Sequence, residues 1–159
     1  KLASGFAPIA ALARAGINVG IGTDGAASNN RLDCLQEMRQ AALLAKAVAK
    51  DATAVPADAA LAMATLSGAR ALGLGGQIGS IVAGKRADLA AVQLAGPELS
   101  HCFEPVSHLV YCAGREHVTH VWVDGVLRMC DRILKNVDIS ALDNTAKLWH
   151  NHLKINSLS

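Results

Sequence analysis

The sequence predicts a mixed α/β chain in which helices fill the first half, short strands follow, and one further helix closes the chain. Three observations carry this reading. Apolar residues recur at spacings of three and four through residues 32–49 and again after Pro56, the period of an amphipathic helix. From Gln77 onward Gly-punctuated apolar pairs and an Asp-Gly step replace that period, the texture of strands joined by turns. Finally, 159 residues that are 52% apolar suffice for one domain with a real core, which excludes general disorder.

Taken in order, Pro8 suits the first turn of a helix, where its missing N–H costs nothing, and PIAALARA runs to a stop at Gly16. Ile17, Val19 and Ile21 alternate with Asn18, Gly20 and Gly22, the period of two of a strand, although no parallel neighbour for it is evident in the chain. Thr23 to Asn30 reads as a loop. Asn30 is the expected cap of the next helix, with Asp33 in its first turn and Leu32, Leu35, Met38, Ala42, Ala45 and Ala49 on one stripe. Helix resumes after Pro56 and extends to about Leu72 with a break near Ser67 and Gly68. Short strands are expected around Ile78, Ile81 and Val82 and around Leu89 to Val92, then a hairpin of HVTHVWV and VLRMC about Asp124-Gly125. Ile139, Leu142, Ala146, Trp149 and Leu153 predict a last amphipathic helix, with Ser140 as its cap. The compositional boundary near residues 73–77 and the final helix divide the chain into 1–72, 73–137 and 138–159.

Composition narrows the function classes. Fifteen Lys and Arg against thirteen Asp and Glu give a net charge of +2 with no basic stripe, which argues against a nucleic-acid partner. Ala71 to Gly84, the longest charge-free stretch, has 14 residues and five glycines, so no membrane segment is expected. KLASGFAP lacks the apolar core of a secretory signal. Cys34, Cys102, Cys112 and Cys130 show no CxxC spacing and are expected to be buried, reduced thiols of a cytoplasmic protein.

Among residues able to carry chemistry, Asp24 directly follows the apolar strand and stands beside Gly22 and Gly25, which places its carboxylate at the strand's C-terminal end, where α/β folds gather reacting groups. An Asp that merely forms a turn would look the same. Ser28, Asn29 and Asn30 leave the same strand end, either as ligand contacts or as turn and cap residues. Lys85, Arg86 and Asp88 fit a solvated turn as well as they fit a site. His150 and His152 form an HxH pair, yet on a helix they point about 200° apart and cannot share a metal. His117 and His120 would face opposite sides of a strand. His101 and His108, in loop or helix-start sequence, have no visible partner carboxylate, and each is expected to be a capping or surface group.

The run GIGTDGAASNNRLDCLQEMRQAALL, the segment MATLSGARALGLGGQIGSIVAGKRADLAAV and the later HVTHVWVDGVL resemble the C-terminal part of the metal-dependent amidohydrolase superfamily. Within it, the GTDGAASNN loop and the LDxxxEMRxAALL helix are most similar to the 5-methylthioadenosine/S-adenosylhomocysteine deaminase group. The pattern from Gly79 through Gly84, Lys85, Ala87, Asp88 and Leu89 is shared across the superfamily. The resemblance implies the last strand and helices of a (β/α)8 TIM-like barrel, with Ile17 to Thr23 as its eighth strand, plus part of a small β-sandwich. It implies that Asp24 is a ligand of one divalent ion, zinc, contacts the substrate, and accepts a proton from the water that attacks C6 of an adenine ring. The other metal ligands and the acid of that family have no counterpart here, and a full barrel needs about 250 residues. The expectation is therefore a C-terminal fragment, inactive alone, whose partners are a small nucleoside and the missing N-terminal part of the same polypeptide. Whether the parent is a homo-oligomer is left open. Two alternatives stand beside this: the same chemistry on guanine, another nucleobase or an s-triazine, and a non-enzymatic α+β assembly module.

Overall fold

A computed structural model describes residues 2–156. Helix α1 (Ile9–Arg14) follows Pro8 and is closed by Gly16 at φ +72°, a left-handed stop that glycine adopts without strain. Residues 17–25 alternate as expected but form no strand. A strand exists only through a hydrogen-bonded neighbour, and among the described residues none runs beside this one; Ile21 instead donates its N–H to the Met63 carbonyl at 3.0 Å.

Helix α2 (Cys34–Ala49) is capped by Asp33, not by Asn30: the Asp33 carboxylate accepts from the Leu35 and Gln36 N–H groups at 3.1 Å each. The helix thus starts later than the periodicity suggested, and Leu32 lies outside it, exposed, while Met38, Ala42 and Ala45 of the same stripe are buried. Asp33 is itself only 4% exposed and is flanked by the Arg31 guanidinium at 3.3 Å. Asp33→Ala leaves two N–H groups without acceptors and should cost about 1–2 kcal/mol. Equilibrium urea unfolding of the Ala and Asn variants checks this, with Asn close to wild type because Asn caps as well as Asp does.

Helices α3 (Ala57–Ala64) and α4 (Leu66–Ala71) are separated at Thr65, two residues before the expected break. Helix α5 (Pro105–Tyr111), with proline in its first turn, was not foreseen. The core is assembled where these helices meet: Met38, Ala42 and Ala45 of α2, Ala60 and Met63 of α3, Val110 of α5 and the loop residue Val55. Long basic side chains stitch its rim, Lys46 to the Val55 carbonyl at 2.8 Å and Arg39 to the Ala113 carbonyl at 2.7 Å.

After Gly73 the chain does not form the strands expected around Ile78 to Val82 but a series of turns. Ile81 and Val82 lie between glycines in positive-φ backbone, Gly79 at φ +85° and Gly84 at φ +90°, and Ile78 directly precedes the first of them, which a ladder does not accommodate. Strand β1 (Leu89–Val92) then pairs with β2 (Val118–Val123), β2 with β3 (Val126–Cys130), and β3 with a two-residue β4 (Ile133–Leu134), giving one antiparallel sheet in the order β1-β2-β3-β4. The Asp124-Gly125 hairpin forms as expected, both residues having positive φ, the requirement of a type I′ turn. Helix α6 (Ile139–Asn156) begins where expected, though Asp138 rather than Ser140 supplies its cap, accepting from the Ala141 N–H at 3.0 Å. Its stripe through Leu142, Trp149 and Leu153 is exposed.

The burial of the cysteines differs from expectation. All four are free, Cys34 and Cys112 are exposed and Cys102 and Cys130 are half-buried. Cys34 shares a helix face with Met38 but stands in the first turn, outside the enclosed part of the core.

Candidate functional site

Asp24 stands in the left-handed region at φ +59°, an uncommon conformation for a residue with a Cβ, reached between Gly22 and Gly25. This backbone turn directs the carboxylate to the surface. One oxygen, Oδ1, accepts the Gly25 N–H at 2.7 Å, and Oδ2 accepts the Ser28 hydroxyl at 2.8 Å. The Ser28 hydroxyl, and after it the Gly25 N–H, hold the Asp24 carboxyl below the usual carboxylate range. Asp24 is therefore an exposed, ionised carboxylate with spare lone pairs on both oxygens.

The loop beyond it is fixed by side chains. Asn29 accepts the Arg31 and Leu32 N–H groups at 3.0 and 3.1 Å through Oδ1 and donates through Nδ2 to Glu37 Oε1 at 2.8 Å. Asp24, Ser28, Asn29 and Glu37 together line an open groove of about 570 Å³, with Leu2 to Phe6 also in its wall. Glu37 was missed in the sequence, although its place in the first turn of α2, within the LDxxxEMR run, was the available signal. Ser28 and Asn29 thus belong to the loop that carries Asp24, whereas Asn30 neither caps α2 nor lines the groove.

The remaining candidates lie elsewhere. Lys85 reaches back to the Gly75 carbonyl and to the Ile78 carbonyl at 3.2 Å, a stitch across the turns. Asp88 accepts the Asp124 N–H at 3.2 Å and Arg86 lies 3.8 Å from the Asp124 carboxylate, so both belong to the hairpin end. His101 is exposed and His108 lies on α5. His117 accepts the Gly114 N–H at 2.9 Å and lies 3.3 Å from Glu98. His150 and His152 are on the exposed helix α6, where His152 meets the edge of Trp149 at 6.0 Å. Replacing both by Ala in the complete polypeptide should leave metal content and turnover unchanged; loss of one equivalent of zinc would show that the pair is a ligand set.

A family model described as the amidohydrolase family matches residues 1–128, four-fifths of the chain. The chain belongs to the amidohydrolase family. Its curated relatives include proteins named 5-methylthioadenosine/S-adenosylhomocysteine deaminase. That of Syntrophobacter fumaroxidans is 49% identical over 87% of this chain and 32% of its own length. That of Moorella thermoacetica is 51% identical over 87% of this chain and 32% of its own. Among solved structures, an adenosine deaminase from Xanthomonas campestris with bound zinc superposes with a TM-score of 0.95 at 51% identity, over 98% of this chain and 35% of that one. Atrazine chlorohydrolase from Arthrobacter aurescens, complexed with zinc, gives 0.81 at 30% identity over 91% and 32%. This amidohydrolase chain spans about a third of the length of the curated relatives it matches. No helix among the described residues is long and apolar enough to cross a membrane.

Proposed function

We propose that residues 1–159 are the C-terminal part of a zinc-dependent aminohydrolase that deaminates an adenosine-type thioether nucleoside, and that Asp24 is its metal ligand and proton acceptor. Residues 1–72 are then the last part of the barrel, 73–137 the sandwich segment and 138–159 the terminal helix and tail. The observation that carries the reading is Asp24 itself: an ionised carboxylate, open to the groove, held by Ser28 and Gly25 in a strained turn at the end of residues 17–23. Relatives bearing the deaminase name at 43–51% identity support the substrate class.

The Asp24 donor set fits a divalent ion, since a hydrogen-bonded carboxylate with free lone pairs is a good oxygen ligand. A bound zinc ion supplies Lewis-acid activation of water. Asp24 takes the proton that the attacking water loses on a carboxylate oxygen, while Ser28 and Gly25 hold that carboxylate in orientation. The water oxygen bonds to C6 of the adenine ring, the C6–N bond breaks, and the amine departs as ammonia with the proton that the water gave up to Asp24.

One carboxylate cannot supply the three or four ligands of a zinc site. Purified residues 1–159 are accordingly expected to be inactive and to hold zinc weakly, and turnover by them alone would contradict the assignment. The structural likeness to atrazine chlorohydrolase favours, as a second reading, the same chemistry on a nucleobase or an s-triazine. Turnover of the complete polypeptide on methylthioadenosine, S-adenosylhomocysteine, adenosine, guanine and a triazine separates the two. The thioether nucleosides should be the best substrates; preference for guanine or the triazine would replace the first reading by the second.

A further inference from the structure

On the sheet, far along the chain from Asp24, three donors of different chemistry come together. Val121 pairs with Met129 across the β2–β3 ladder, so the next rung sets His120 opposite Cys130 on one face of the sheet. Asp131 follows Cys130 directly, in the tight turn to β4, where Asp131 and Arg132 have φ of +48° and +66°. One ligand atom from each of His120, Cys130 and Asp131 lies within 4.8 Å of the other two, and no other such trio occurs among the described residues.

The Thr119 hydroxyl, which also reaches the Ala91 carbonyl at 3.3 Å, lies 3.0 Å from His120 Nδ1 and holds that side of the ring. His120 Nε2 faces one Asp131 carboxylate oxygen at 3.7 Å, too far for a hydrogen bond, and the Cys130 thiol donates to the other at 3.7 Å. Three electron-pair donors thus surround one point, and the stacking of His120 on Trp122, at 5.6 Å and 11° between planes, keeps the ring in place.

We propose that His120, Cys130 and Asp131 bind a divalent first-row transition metal such as zinc, at a site distinct from Asp24. Three protein ligands leave the fourth tetrahedral position to water, and a nitrogen, a sulfur and an oxygen donor suit zinc or cobalt rather than magnesium or calcium. Cys130 binds as the thiolate and releases its proton to solvent on binding. The ion ties β2, β3 and the β3–β4 turn together.

Cobalt reports the sulfur ligand directly, because only a thiolate on cobalt gives a strong near-ultraviolet charge-transfer band, and no cysteine of the described residues lines the Asp24 groove. Metal-free complete polypeptide titrated with cobalt(II) under a non-chelating reductant should develop that band, with quenching of Trp122 fluorescence. Cys130→Ser should abolish the band. Asp131→Asn, a change at an exposed turn residue that the fold tolerates, should weaken cobalt binding by at least about tenfold, the loss caused even by removing an outer-shell partner. Both variants should retain the zinc-loaded wild-type turnover, and their metal-free forms should melt as the metal-free wild type does. Absence of the band in the wild-type protein, its persistence in Cys130→Ser, or unaltered affinity in Asp131→Asn would overturn the assignment. None of these results depends on what Asp24 does.

Discussion

Asp24→Asn in the complete polypeptide should fold normally and lose on the order of 10²- to 10⁴-fold in turnover, the range for a missing general base. Asn matches the volume of Asp and serves equally well in a turn or in a left-handed position, so the backbone at φ +59° is kept. What disappears is the negative charge. The Ser28 hydroxyl and Gly25 N–H now stabilise that charge, which is why the carboxyl stays ionised below the usual carboxylate range. The sign follows: whatever stability these bonds give is present above the unfolded pKa of Asp and fades as pH falls through the lower, folded value. At neutral pH the wild-type base is fully available. Turnover measured under saturating zinc beside a melting curve tests this; a folded variant retaining more than about a tenth of wild-type turnover would remove Asp24 from the chemistry.

Gly79→Ala should be strongly destabilising. Gly79 has φ +85°, and a Cβ there would stand 2.7 Å from the Ala69 Cβ, 2.9 Å from the Leu66 Cα and 3.2 Å from the Thr65 carbonyl oxygen. Two of those three atoms are backbone at the start of α4, which cannot rotate away. Overpacking of this kind costs about 1–3 kcal/mol, and left-handed backbone adds about 1–2 kcal/mol for a residue with a Cβ. The sum should appear as a clear fall in the urea midpoint. Gly76→Ala, where a Cβ meets nothing within 4 Å and φ is not positive, is the control and should be nearly neutral. A midpoint for Gly79→Ala equal to that of Gly76→Ala would show that α4 and the Gly79 turn do not pack as described.

The elements that could be read from the sequence are those fixed by local chemistry. Asp124-Gly125 is a hairpin turn because both positions need positive φ, and α6 follows from its 3.6-residue period although its stripe stays exposed. What escaped depends on partners distant in the chain. The alternation at Ile17 to Ile21 is legible, but pairing is a property of two segments, and the described residues contain only one. Asn30 and Asp33 are equally good caps by type; the bonds from Asn29 to the Arg31 and Leu32 N–H groups shape the turn so that Asp33 arrives at the helix start. The same holds at the two sites. Asp24 and its glycines are adjacent in sequence and could be singled out, whereas Glu37 enters the groove only because Asn29 reaches it. His120 was set aside for want of a partner on its own strand; its partners come from β3 and the turn beyond.

The central claim is that Asp24 holds the catalytic metal, and anomalous scattering at the zinc edge from crystals of the complete, zinc-loaded polypeptide tests it without reference to rate. A peak should lie about 2.0–2.2 Å from an Asp24 carboxylate oxygen, the usual zinc–oxygen distance. Zinc bound in the groove by other residues, with both Asp24 oxygens beyond bonding distance and still engaged only with Ser28 and Gly25, would contradict it.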